Sequence, residues 1–178
     1  GSNNNYIEYT ASGDAIIEVN DDAVLTVGSQ LRRGLVASSG VLKYRQTGGT
    51  VTLGKNTAPE GNRGVLEILN SGSEFTHTGG DLIISRGQTD ASVASVFLNP
   101  ASTNISDTSV LQLGDANTPA STVIGLNSTI SLSNILVDNS SSQNPTAQLM
   151  VNGLTLTGGV ELETNTTLNA NDLNLTLA

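Results

Sequence analysis

The chain has 178 residues, enough for one domain or one stretch of a repeat array, and Ser, Thr, Asn and Gly supply 79 of them. There is no Cys, which excludes a disulfide framework, a thiol nucleophile and a zinc–thiolate site and leaves export open. The net charge is −9, and residues 87–178 carry seven acids with no Lys or Arg, so a nucleic-acid partner is excluded and an anionic membrane surface is disfavoured.

Along the chain, Gly1-Ser2 reads as an expression scar. Tyr6-Ile7-Glu8-Tyr9 and Ile16-Ile17-Glu18-Val19 follow with an alternation of their own, so residues 1–24 are expected as a hairpin or an irregular first coil. Short bursts of period two then recur: Val51-Thr-Leu53, Leu66-Glu-Ile68, Leu82-Ile-Ile84, Val96-Phe-Leu98 and Leu111-Gln-Leu113. Further bursts come at Ile135-Leu-Val137, Leu149-Met-Val151, Leu154-Thr-Leu156 and Leu173-Asn-Leu175-Thr-Leu177. Between them lie the turn formers Gly, Asn, Ser, Asp and Pro. No sustained helical spacing of apolar residues appears, and no apolar run reaches the ~18 residues of a membrane helix.

The spacing decides the fold class. Bursts start about fifteen residues apart up to Leu111, and Thr47-Gly48-Gly49-Thr50-Val51-Thr52-Leu53 returns as Thr78-Gly79-Gly80-Asp81-Leu82-Ile83-Ile84. Thr157-Gly158-Gly159-Val160 echoes it loosely. Two strands per ~30 residues, repeating, is the signature of a solenoid. A β-sandwich also has short strands, but its core usually carries aromatics, and hairpin signals are rare here apart from Asn152-Gly153. The expectation is an all-β chain forming a single right-handed parallel β-helix over residues 1–178, with about six coils and little or no α-helix. At ~4.8 Å per strand step that rod is about 30 Å long. The final Leu173–Ala178 stops in mid-strand, as expected of a fragment of a longer solenoid. Residues 138–146 are expected as a loop bulging from one coil.

Leu31-Arg-Arg-Gly34, Tyr44 through Gly54, Arg63 through Phe75 and Thr78 through Gly87 carry a resemblance. They look like β-helical segments of very large secreted or cell-surface proteins of the Bacteroidetes group, which are similar to autotransporter passengers and the pectin-lyase-like superfold. The resemblance implies export and a multidomain parent used in adhesion, gliding or polymer handling. It does not imply catalysis, because fold does not fix function.

Candidate chemistry is sparse. His77 is the single histidine, a general base or metal ligand in principle, and is read as a strand-end residue flanked by hydroxyls. Asp21-Asp22 is the only adjacent acidic pair, and neighbouring strand residues point to opposite faces, so two carboxylates there do not converge on a glycosidic bond. Asn20-Asp21-Asp22, Asp115-Ala-Asn117 and Asp138-Asn139 offer hard oxygens for calcium as a cofactor, but in no EF-hand or Gly-Gly-x-Gly-x-Asp spacing; turns account for all three. Thr50-x-Thr52 and Thr155-x-Thr157 have the spacing of an ice-binding ladder, yet Ile83, Val96 and Gln112 are expected at the equivalent sites.

Sugar rings stack on aromatics, and Tyr6, Tyr9, Tyr44, Phe75 and Phe97 are the whole supply. Phe75 and Phe97 are read as core. Tyr44, beside Lys43 and Arg45, is read as the exposed ligand contact. The expected function is a non-catalytic structural or adhesive segment of a large exported bacterial surface protein. The alternative is a carbohydrate-binding or carbohydrate-active β-helix. Expected partners are other domains of the parent protein and extracellular polysaccharide or cell-surface glycans.

Overall fold

Runs of β-branched and aliphatic residues broken by glycine and asparagine give many short strands, and every strand finds a parallel partner. The computed structural model describes residues 5–10, 13–34 and 40–178, so Gly1-Ser2 lies outside the described residues. The strands are β1 (Ile7–Tyr9), β2 (Asp14–Val19), β3 (Val24–Val27), β4 (Leu31–Arg33), β5 (Val41–Leu53), β6 (Leu66–Ile84), β7 (Val96–Ile105) and β8 (Val110–Leu113). They continue as β9 (Val123–Ser128), β10 (Asn134–Val137), β11 (Thr146–Leu149), β12 (Leu154–Leu156), β13 (Val160–Leu162), β14 (Thr167–Asn169) and β15 (Leu175–Leu177). No helix occurs among the described residues, so none is long and apolar enough to cross a membrane. The fold is a β-solenoid of about six turns. β1 and β2 pair in parallel with β4 and β5, so the opening segment joins the ladders and forms no hairpin.

Each turn passes through three sheets, not the two read from the burst spacing. The first contains β1, β4, the starts of β6 and β7, then β9, β11 and β14. The second contains β2, the front of β5, the middle of β6 and the end of β7. It resumes, after an interruption, as β12 and β15, with Leu132 bridged to Leu156. The third contains β3, the ends of β5 and β6, then β8, β10 and β13.

The Gly-Gly pairs explain why two faces read as one strand. β5 and β6 bend between the second and third sheets at Gly48-Gly49 and Gly79-Gly80 without losing their pairing, at the cost of a register shift in each. Gly49 and Gly80 adopt φ of 67° and 77°. A Cβ on Gly80 would stand 2.2 Å from the Gly49 carbonyl oxygen, and one on Gly49 would stand 2.2 Å from that of Ala23. Only glycine tolerates both the left-handed backbone and the stacking of corner on corner.

The core is a set of aliphatic columns. Val27, Leu53, Ile84, Leu113 and Val137 are successive register partners in the third sheet, each at most 4 % exposed. Leu66, Val96, Leu126 and Leu149 do the same in the first sheet. Burial of each such side chain contributes about 1.5–3 kcal/mol. Turn length changes along the rod. Leu66 pairs with Val96 and Val96 with Leu126, thirty residues per turn, whereas Ala147 pairs with Leu168, twenty-one residues on.

The connections from the third sheet to the first, residues 28–30, 54–65, 85–95, 114–122, 138–145 and 163–166, all leave along one edge. The expected loop at 138–146 is one of this column, with Thr146 already opening β11. These segments are clamped. Gln30 Nε2 donates to the carbonyls of Glu60, Arg63 and Gly64 at 3.3, 3.3 and 3.0 Å. Gln88 Nε2 donates to those of Gly61 and Arg63 at 2.8 and 2.6 Å. Thr118 Oγ1 donates to the Ser85 carbonyl at 2.9 Å.

Candidate functional site

Tyr44 is not a surface contact. Lys43 and Arg45 point outward, so strand alternation turns Tyr44 inward, where it is fully buried. Its ring stacks on Phe75 with centroids 5.6 Å apart, and its hydroxyl donates to Gln46 Oε1 at 2.6 Å. Burial raises the phenol's pKa well above its ordinary value. A group so enclosed offers no platform to a sugar, and the expected ligand contact is withdrawn.

His77 lies beside it in the same interior. It is not at a strand end but within β6, 3 % exposed, with its ring edge-on to Phe75. Its Nε2 stands 3.1 Å from the Gly80 carbonyl oxygen, and Gln46 Nε2 donates to the Asp81 carbonyl at 3.0 Å. Both polar side chains therefore answer carbonyls that the Gly-Gly bend turns inward. Desolvation lowers the His77 pKa, which favours the neutral ring.

The acids singled out in the sequence lie in turns, and several others form ion pairs. Asp21 and Asp22 are exposed in the first second-to-third corner, directly beneath Gly48. Asp115 accepts from the Asn117 N–H at 2.8 Å and the Ser85 hydroxyl at 2.7 Å, and Asp138 accepts from the Ser140 N–H at 2.9 Å. Among the described residues no three His, Asp or Glu side chains gather as a metal site would require. On the outer face of the second sheet Lys43 bridges Asp14 at 2.9 Å and Glu74 at 3.9 Å, while Arg45 bridges Glu18 and Glu74 at 3.1 and 3.2 Å. Inward of the first sheet Tyr9 donates to the Glu67 carbonyl at 3.0 Å and accepts from the Leu69 N–H at 3.2 Å; burial pushes its pKa up to about 12. The Glu67 carboxylate is held by Arg63. In the third sheet Thr52 is followed by Ile83 and Gln112, so no threonine ladder forms, while Val96 belongs to the first sheet.

Phe97 departs from the sequence reading in the opposite sense to Tyr44. It is half-buried and points outward from the first sheet, in register between Glu67 and Asn127. Its neighbours Val96 and Leu98 are the inward residues, a signal already legible in the sequence. Phe97 lines a shallow cleft of about 300 Å³ with Arg33, Asn127, Met150 and Val151. A second cleft of about 350 Å³ abuts it, sharing Val93 and Met150, and opens between the corner segments at 86–91 and 119–123. Nothing in the strand periodicity points to this second cleft, because it is made by the irregular connections.

No family model matches this chain, and no curated protein and no solved structure does either.

Proposed function

We propose that the chain is a non-catalytic structural or adhesive segment of a large exported bacterial surface protein, a stiff element joined to other domains of its parent and working outside the cell. The observation that supports this reading is the use of the polar groups. His77, Gln46, Gln30 and Gln88 all serve backbone carbonyls of corners and connections, so the chemistry of the interior is spent on holding turns in register. Stacked turns with continuous aliphatic columns make a rod that resists bending and leaves few exposed strand backbones for a protease. The acidic surface keeps such a rod soluble. In single-molecule pulling along the axis the rod should unfold in successive steps of one turn. Release of oligosaccharide from a panel of soluble and insoluble polysaccharides, tested with and without calcium, would overturn the non-catalytic reading.

A second reading, glycan binding, is favoured by Phe97. An outward aromatic beside Arg33 and Asn127 has the components that bind a sugar ring, a stacking surface and flanking hydrogen-bond groups. Retention on one polysaccharide of the same panel, lost in Phe97→Ala, would establish it.

A further inference from the structure

We propose that the cleft between the 86–91 and 119–123 segments binds small ligands carrying one carboxylate on an aliphatic body, with Arg86 as the partner of the carboxylate. Arg86 differs from the other four arginines. Arg32 binds Glu8 at 3.1 Å, Arg33 donates to Asn70 Oδ1 at 3.0 Å, Arg45 binds Glu18 and Glu74, and Arg63 binds Glu67. Among the described residues the Arg86 guanidinium has neither an acid within 4.0 Å nor a hydrogen-bond acceptor on any of its nitrogens, and its Nε, like that of Arg33, is shielded from solvent without a partner. A planar, permanently charged fork left unanswered beside apolar walls is matched best by a carboxylate, which it engages through two parallel hydrogen bonds.

The walls define the rest of the ligand. Val93, Pro119, Val123 and Met150 line the cleft, and no aromatic does, so it offers aliphatic contact rather than a platform for a sugar ring. Val123 is 41 % exposed, an open apolar surface at the rim. Asp90 also lines the cleft, and its carboxylate accepts from the N–H and hydroxyl of Ser92 at 2.9 and 2.6 Å. The Ser92 bonds hold its pKa below the ordinary value. A second negative charge on the ligand would meet this anion, which selects monocarboxylates. A volume of about 350 Å³ is at the small end for ligand pockets. The floor is preformed: a Cβ on Gly87 would strike the Val123 carbonyl oxygen at 1.8 Å, so the two turns are already in close contact there.

The test is an amide-resolved NMR titration of the intact chain with hexanoate and with hexanamide. Hexanoate should shift the amides of residues 86–93 and 120–125 and saturate in the millimolar range, and hexanamide should bind at least tenfold more weakly. Arg86→Gln should weaken hexanoate at least tenfold with an unchanged thermal midpoint, and Arg86→Lys should restore part of the loss. Equal binding of acid and amide, or no shifts at these residues, overturns the proposal without recourse to any variant. Two acetylated tripeptides ending in valine, one with a free and one with an amidated C-terminus, separate the sources. Tighter binding of the free-acid peptide than of hexanoate supports a chain terminus as the source, and tighter binding of hexanoate supports a free short acid.

Discussion

The turns before Leu113 and those after it solve the same stacking problem differently. The early turns reach thirty residues, bend at Gly-Gly pairs whose backbones touch, enclose Tyr44, Phe75, Gln46 and His77, and carry all six ion-pair contacts seen among the described residues. The late turns shorten to twenty-one residues, have no cation, and tie the equivalent corner with a side chain. Asn134 Nδ2 donates to the Asp107 and Ser109 carbonyls at 2.7 and 3.0 Å, and its Oδ1 accepts from the Gly159 N–H at 2.9 Å. Beyond Leu156 no hydrophobic side chain is fully buried. A long turn thus draws stability from a wide interior that must be filled and satisfied. A short turn draws it from a narrower set of aliphatic columns and from asparagine bridges, with less to lose at any one residue.

The sharpest way to break this contrast is to place the same methyl group at the second glycine of both pairs. Gly80→Ala combines a left-handed alanine with a backbone clash and should cost about 5 kcal/mol, whereas Gly159→Ala meets nothing closer than 4.0 Å and should stay within about 0.5 kcal/mol by chemical denaturation. Core truncation comes next. Phe75→Ala should cost about 3 kcal/mol or more, and Leu177→Ala, 63 % exposed in the native chain, no more than about 0.5 kcal/mol. Acid should act on the early turns. The folded His77 pKa lies below the unfolded value near ~6.5, so the unfolded chain binds the extra proton first and stability falls as pH drops from there towards the folded pKa. Thermal midpoints followed across that window should decline, and His77→Gln should flatten the decline. The smallest effect belongs to the outer ladder: Glu74→Gln should lower the midpoint slightly at low salt and not at high salt, because Lys43 and Arg45 are solvent-screened.

The parallel solenoid was legible because the third sheet is almost purely aliphatic, and Val51-x-Leu53, Leu82-x-Ile84, Leu111-x-Leu113 and Ile135-x-Val137 repeat at the turn length. The second sheet was not, because its inward residues there are Tyr44, Gln46, Phe75 and His77, which do not read as an apolar stripe. The remaining two sheets alone present two strands per turn. Tyr44 was misplaced for a related reason. Its charged neighbours suggest a surface patch, but on a strand charges on both sides mark the residue between them as inward. Phe97, between two buried aliphatics, shows the same rule in reverse. Arg86 and its cleft had no signal of this kind, since an irregular connection follows no period and an arginine without a partner looks like any other in a sequence.

Because the third-to-first connections all depart from one edge, successive ones are separated by a single strand step, ~4.8 Å. Their lengths already vary widely, from residues 54–65 down to residues 28–30, while the columns beneath them keep their register. Doubling a flexible connection costs only about 0.6 kcal/mol in closure entropy. That edge therefore behaves as a rack on which short peptides can be grafted in single file at sub-nanometre pitch. Identical grafts on neighbouring turns would meet a clustered receptor at high effective concentration, giving avidity without any change in the rod itself.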